Sequence, residues 1–197
     1  RKDRFPDLEH LRLTETALKE TRKHALSQGL QWFCSPFDMD SMKRLSNIGM
    51  NVWKVPSGFL NCRSYLEAVS FYATGEIIVS TGMSALHEAR AAYNLLGDHK
   101  VSLLHCVTQY PSKPEEANLK AIVTLKNQFN CDAGLSDHSE GSILPVVSVA
   151  LGGRIVEKHL TYDTQAEGPD HSASVESDIF AIMVSNIRQI ENAVGNG

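Results

Sequence analysis

Short apolar runs alternate with longer amphipathic segments along the 197-residue chain. The short runs are rich in β-branched and aromatic residues, as buried strands are, whereas the longer segments have the hydrophobic spacing of helices. We predict six strands, at residues 30–35, 51–57, 76–81, 101–106, 132–137 and 154–161. This alternation indicates an α/β fold built on a parallel sheet.

A polar residue stands near the end of each predicted strand. These residues are Ser35, Lys54, Ser80, His105, Ser136 and His159. A (β/α)8 barrel has about 30 residues per βα unit and places its chemistry at the carboxyl ends of its strands. A doubly wound sheet shares the alternation but concentrates its chemistry at one switch point. We therefore predict a partial (β/α)8 TIM barrel over residues 1–197, with about six βα units and the N-terminal strands missing.

The overall charge and composition indicate which kinds of binding partner are not expected. The formal net charge is -4 and no Lys/Arg stripe is present, which argues against nucleic acid or an anionic membrane surface. No apolar run approaches the roughly 20 residues that span a bilayer. The cysteines lack the short spacings of a zinc site or a disulfide framework, so we expect reduced thiols and a cytoplasmic location.

Two histidines follow successive predicted strands, His138 in "GLSDH" and His159 in "RIVEKHLT". Side chains alternate along a strand, so Ser136 shares a face with His138, and Glu157 shares a face with His159. Both imidazoles should therefore point to the same end of the barrel. Converging neutral imidazoles are suitable ligands for a catalytic divalent cation, although a single histidine at a strand end is more often a structural, hydrogen-bonded residue.

A lysine, Lys54, interrupts an otherwise apolar strand, and four serines lie at or just after strand ends. The serines are Ser35, Ser57, Ser80 and Ser136. Such a lysine can simply extend to solvent, and such hydroxyls can satisfy loop backbone. Together they would form a small anion pocket suited to a phosphate. A phosphate pocket beside a divalent cation suggests a phosphorylated small substrate.

Several long phrases of the sequence resemble the sialic acid synthase family. They are "WKVPSG", "IIVSTGMS", "LLHCVTQYPSKPEEANLKAI", "GLSDHSEG", "ALGGRIVEKHLT" and "GPDHSASVE", and their order matches from about Ser35 onward. The resemblance implies a TIM-barrel transferase that condenses phosphoenolpyruvate with an N-acetylated hexosamine, such as N-acetylmannosamine. The implied products are a nine-carbon 2-keto sugar acid and phosphate. It also implies a Mn²⁺-type divalent metal, with Mg²⁺ or Co²⁺ as alternatives, and a homodimer.

The resemblance also assigns roles to individual residues. It makes His138 and His159 the metal ligands and, with Lys54 and Tyr110, the candidate catalytic residues. Positions that bind phosphoenolpyruvate correspond to Lys54, Ser35, Ser80 and Ser136, with Ser57 close by. The sugar-facing positions correspond to Thr108, Tyr110 and Asp170.

The sequence departs from the family pattern at several places. Phe59 follows Gly58 where many relatives carry an acidic residue that binds sugar hydroxyls, and Ser35 replaces a threonine. The family's first strands and its C-terminal antifreeze-like domain are not among these 197 residues. Three interpretations remain open: a sialic-type synthase, a phosphoenolpyruvate-dependent synthase for another aldose, and an inactive truncated barrel with a binding or assembly role.

Overall fold

The computed structural model describes residues 13–168 and 170–195, in which strands and helices alternate. The strands are β1 (Val52–Val55), β2 (Glu76–Ser80), β3 (Val101–Cys106), β4 (Ala133–Asp137) and β5 (Ile155–Lys158). The α-helices are α1 (Glu15–Ser27), α2 (Met39–Asn47), α3 (Arg63–Tyr72), α4 (Leu86–Leu95), α5 (Lys120–Phe129), α6 (Ile143–Ala150) and α7 (Ser177–Val194). Short 3₁₀ helices lie at Ser57–Phe59, Pro114–Glu116 and His171–Ala173. Over these residues, no helix combines the length and the hydropathy needed to cross a membrane.

The five strands form one parallel sheet in the order β1-β2-β3-β4-β5. Each crossover between consecutive strands contains an α-helix, as parallel pairing requires. Lys54 of β1 and Glu157 of β5 lie on opposite end strands, yet the Lys54 Nζ is 3.5 Å from the Glu157 Oε2. A flat sheet would set these strands about 19 Å apart. The sheet is therefore strongly curled, which confirms the predicted α/β class and partial barrel.

The first predicted strand, residues 30–35, is wrong. This segment is irregular, and its side chains Trp32 and Cys34 pack against the hydrophobic core. The Cys34 N–H lies 3.2 Å from the Met50 Sδ instead of pairing with a neighbouring strand. Packing alone explains the apolar pattern, whereas a strand also needs a partner backbone for its hydrogen bonds. The sheet thus contains five strands where six were predicted.

The two faces of the sheet have different residues. Trp53, Val55, Ile77 and their equivalents on the other strands pack with the helices in the main core. On the concave face, a smaller apolar cluster contains Val52, Ile78, Leu104 and, partly buried, Ile155. Two residues further along each of these strands, toward the carboxyl end, the inner positions are polar in β1, β2 and β5. This change from apolar to polar residues places a candidate site at the carboxyl end of the half-barrel.

Candidate functional site

A network of four polar side chains covers the inner face of the sheet near its carboxyl end. The Lys54 Nζ donates to the Ser80 Oγ at 2.8 Å and lies 3.5 Å from the Glu157 Oε2. The Ser136 hydroxyl donates to the Glu157 Oε1 at 2.6 Å. Lys54 is only 6% exposed, and burial lowers its pKa while the Glu157 carboxylate opposes that shift. The structure thus holds the buried Lys54 ammonium between the Ser80 hydroxyl of β2 and the Glu157 carboxylate of β5.

The imidazoles of His138 and His159 lie just beyond the ends of β4 and β5. Their ring centroids are 5.4 Å apart, with an angle of 59° between the ring planes. The His138 Nδ1 lies 2.8 Å from the Val107 carbonyl oxygen. Because a carbonyl can only accept, Nδ1 carries the hydrogen and Nε2 presents its lone pair. Burial also lowers the pKa of His138, which favours the neutral ring that binds metals.

Tyr110 and Asp170 lie beside these two rings. The Tyr110 ring centroid is 4.0 Å from that of His138 and 5.7 Å from that of His159. Burial raises the pKa of Tyr110 to about 12, so its hydroxyl remains protonated at neutral pH. The Asp170 Oδ2 lies 3.9 Å from the His159 Nδ1, too far for a direct hydrogen bond. Four predicted site residues therefore converge at one position on the rim.

The donor atoms decide which kind of metal site these residues fit. Over residues 13–168 and 170–195, no three His, Cys, Asp or Glu side chains converge on a point that could hold a metal ion. The two imidazoles therefore fit an open site, in which the remaining ligands of a divalent ion would be water or substrate oxygens. The Val107 carbonyl orients His138 as an outer partner of a metal ligand would.

Ser57 and Thr108 meet at Gly82, in the loop after β2. The Gly82 N–H donates to the Ser57 Oγ at 3.0 Å. A Cβ on residue 82 would lie 2.7 Å from the Thr108 Cγ2 and 3.1 Å from the Cys106 Sγ. Gly82 was not predicted to be a site residue, and its only signal in the sequence is its place in the "STGMS" phrase. Gly82 is needed because a Cβ here would also lie 2.8 Å from the Ser57 Oγ, so no side chain fits between Ser57 and the Thr108 methyl group.

Ser35 is outside the hydrogen-bond network that the other predicted phosphoenolpyruvate-binding residues form within the described residues. It is half-buried in the irregular segment before α2. No hydrogen bond within the described chain joins Ser35 to another predicted site residue. The next residue is fixed instead, because the Tyr65 hydroxyl donates to the Pro36 carbonyl oxygen at 2.6 Å. The structure gives Ser35 no direct link to the Lys54 network.

Two residues near strand ends have roles that the sequence did not predict. Glu157 was recognised as facing inward, but it was not included among the predicted substrate, metal or catalytic residues. Its contacts with Lys54 and Ser136 make it the centre of the inner network. His105 lies on the other face of β3, where its Nε2 donates to the Ala117 carbonyl oxygen at 2.7 Å. His105 is therefore a structural residue.

Comparison with known proteins finds curated relatives of this chain, among them two synthases. The chain is 38% identical over 195 residues to the N,N'-diacetyllegionaminic acid synthase of Campylobacter jejuni subsp. jejuni serotype O:2, covering 96% of this chain and 58% of that protein. It is 35% identical over 176 residues to the pseudaminic acid synthase of the same organism, covering 88% and 51%. The chain thus spans a little over half the length of these relatives.

A solved structure and a family model agree with these relatives. The fold matches the crystal structure of the N-acetylneuraminic acid synthetase from Leptospira borgpetersenii serovar Hardjo-bovis with a TM-score of 0.92 and 29% identity. The match covers 100% of this chain and 72% of that chain. The model of the NeuB family matches residues 2–197. The resemblance seen in the sequence is thereby confirmed, and this chain belongs to the NeuB family.

Proposed function

We propose that this chain forms the metal- and phosphoenolpyruvate-binding part of a sialic-acid-type synthase. The proposed reaction condenses phosphoenolpyruvate with an N-acetylated hexosamine to give a nine-carbon 2-keto sugar acid and phosphate. The observation that carries the proposal is the buried Lys54 network beside the converging imidazoles of His138 and His159. Membership of the NeuB family supports the same class of reaction.

Lys54 would bind the doubly anionic substrate. Phosphoenolpyruvate carries a carboxylate and a phosphate, and either group can replace Glu157 as a partner of the Lys54 ammonium. The Ser80 and Ser136 hydroxyls lie within this network and can turn to donate to an anion. Charge-assisted hydrogen bonds of this kind are stronger in a site screened from water. The same contacts would stabilise negative charge on the phosphate as it leaves.

The two histidines would hold a divalent cation, with Mn²⁺ as the proposed ion and Mg²⁺ or Co²⁺ as alternatives. When bound, such an ion supplies Lewis-acid polarisation of the sugar aldehyde. Burial lowers the pKa of His138 and so favours the neutral ring, and the bond to the Val107 carbonyl oxygen fixes its tautomer. Tyr110, with its hydroxyl protonated, can donate to the sugar or to a water molecule. Asp170, whose Oδ2 lies 3.9 Å from the His159 Nδ1, can accept from a sugar hydroxyl.

The bond changes of the proposed reaction balance without a redox step. C3 of phosphoenolpyruvate bonds to the aldehyde carbon, and water adds at C2. Cleavage of the C2–O bond then releases phosphate and leaves the keto group. Lys54, together with Ser80 and Ser136, would hold the phosphate and carboxylate charges through these steps.

A synthase for another aldose is the second candidate, and Phe59 is the observation that favours it. Its ring stacks on Tyr65 with centroids 4.2 Å apart and contacts the edge of Phe37 at 5.6 Å. An apolar ring at this position offers no carboxylate to sugar hydroxyls. The two curated relatives and the solved structure are also named for three different sugar acids. These observations therefore support a different aldose substrate within the same reaction class.

Phosphate release tests the reaction directly. Full-length protein is incubated with phosphoenolpyruvate, Mn²⁺ and a panel of N-acetylated hexosamines and other aldoses. Release with an N-acetylated hexosamine supports the synthase, and release only with another aldose supports the second candidate. No release with any sugar, from protein that is shown to be folded, would favour a barrel with a binding or assembly role.

Metal titration tests the site independently of turnover. His138→Ala and His159→Ala should each abolish tight Mn²⁺ binding measured by calorimetry. His24→Ala is the matched control, because His24 is exposed on α1 and is not among the predicted site residues. Retention of wild-type Mn²⁺ binding in both site variants would refute the assignment of these ligands.

A further inference from the structure

An ion pair with no role in the proposed chemistry joins the last residues of β4 and β5. The Lys158 Nζ lies 2.7 Å from the Asp137 Oδ2, and the side chains are 1% and 3% exposed. Asp137 and Lys158 are also direct partners in the β4–β5 register. Burial of two charges costs several kcal/mol per ion, and well-packed apolar residues are often as stabilising. Stability alone is therefore a weak explanation for this pair.

The pair also fixes the backbone around His138. The Asp137 carboxylate accepts from the Ser139 N–H and from the Ser139 hydroxyl, each at 3.1 Å. The Lys158 ammonium donates to the Ser139 carbonyl oxygen. Residues on both sides of His138 are thus bound to the residue that directly precedes His159. This arrangement connects the two predicted metal ligands through the outer face of the sheet.

The need for such a connection follows from where the register ends. The β4–β5 pairing runs from Gly134 opposite Ile155 to Asp137 opposite Lys158, so the histidines lie one residue beyond it. Their carbonyl oxygens accept from other loops, His138 from Ser112 N–H at 2.9 Å and His159 from Val175 N–H at 3.0 Å. These bonds hold each histidine to a different neighbour. They do not set the distance from one histidine to the other.

We propose that the Asp137–Lys158 pair is a positioning device that sets the separation and orientation of the His138 and His159 imidazoles. The last two residue pairs of β4 and β5, and the pair of histidines that follows them, then have distinct roles. The Ser136–Glu157 contact faces inward, the ion pair faces outward, and the imidazoles face inward again, 5.4 Å apart. The benefit to metal binding rests on the proposed function, whereas the effect on ring geometry does not.

A neutral double variant, Asp137→Asn with Lys158→Met, separates positioning from stability. Lys158→Met alone leaves a buried carboxylate without its partner, so its thermal midpoint should fall. The double variant removes both charges, so its thermal midpoint should recover toward that of the wild type. Mn²⁺ affinity should nevertheless remain 10- to 100-fold weaker, roughly the effect of removing outer partners of metal ligands. A crystal structure of the double variant should show a changed distance between the imidazole centroids.

Ser102→Ala is the matched control. Ser102 is fully buried on β3 and donates to the Glu76 Oε1 at 2.6 Å, at the amino end of the sheet. This control should change stability without changing Mn²⁺ affinity. A double variant with wild-type Mn²⁺ affinity and a centroid distance of 5.4 Å would overturn the positioning role. If the wild type binds no Mn²⁺, the proposed function fails, and the centroid distance alone decides whether the pair positions the rings.

Discussion

Replacing Lys54 by methionine should weaken phosphoenolpyruvate binding strongly and leave Mn²⁺ binding almost unchanged. Lys54 supplies the buried ammonium of the inner network, with Ser80 and Glu157 as partners. The imidazoles lie beyond this network, in the residues that directly follow β4 and β5. The proposed anion site and the proposed metal site should therefore respond separately to this substitution.

The magnitude follows from the bonds that Lys54 can make. A hydrogen bond to a charged group contributes about 1.5–3 kcal/mol, and about 1.4 kcal/mol is a factor of ten in affinity. Loss of one such bond to the substrate should raise the Kd of phosphoenolpyruvate roughly 10- to 100-fold. The stability change should be about 1 kcal/mol or less, because the Glu157 side chain is 37% exposed and water screens its charge. Relief of ammonium burial also offsets part of the loss.

The assay is calorimetric titration with phosphoenolpyruvate and, separately, with Mn²⁺. Lys100→Met is the matched control, since Lys100 pairs with Glu76 at 3.2 Å but is 65% exposed and lies at the opposite end of the sheet. It should leave both affinities unchanged. Equal loss of phosphoenolpyruvate and Mn²⁺ binding in Lys54→Met would show that Lys54 acts through the fold, and unchanged phosphoenolpyruvate binding would refute its assignment.

Two further predictions concern the surroundings of the site. Gly82→Ala should lower the free energy of unfolding by about 1–3 kcal/mol, because its Cβ would lie 2.7 Å from the Thr108 Cγ2. Gly58→Ala, which meets no atom within 4 Å, is the control for chemical denaturation, and equal losses would contradict the steric reason. Burial lowers the pKa of His105 below 6.5, so the unfolded chain takes up this proton first as the pH falls. The contribution of neutral His105 to the free energy of unfolding should therefore be fully present well above pH 6.5 and should decrease as the pH falls below it. In urea titrations, His105→Gln should make the free energy of unfolding fall less steeply with decreasing pH. An unchanged slope would exclude His105 as the source of the decrease.

The direction of each strand-end side chain could be predicted from the sequence. Strict alternation places Ser136 with His138 and Glu157 with His159, and the structure has both pairs on the inner face. Because consecutive strands of the predicted barrel lie side by side, the two imidazoles could also be predicted to be neighbours. What alternation cannot provide is the curvature of the sheet, and the contact of Lys54 with Glu157 depends on that curvature.

The missed features depend on partners that a single segment does not reveal. Charged residues such as Asp137 and Lys158, at the outward positions of short strands, are ordinarily expected to reach solvent. They are buried because each compensates the other across two strands. The strand prediction for residues 30–35 was wrong for the converse reason. Its apolar residues pack as expected, but among residues 13–168 and 170–195 no backbone pairs with it to make a strand.

Anomalous diffraction from crystals grown with Mn²⁺ and phosphoenolpyruvate tests the proposed site most directly. We expect one strong manganese peak within bonding distance of a ring nitrogen of both His138 and His159. The anion should lie within hydrogen-bond distance of the Lys54 Nζ. A manganese peak bound elsewhere, or no peak although phosphoenolpyruvate is present at Lys54, would contradict the assignment of the two imidazoles as metal ligands.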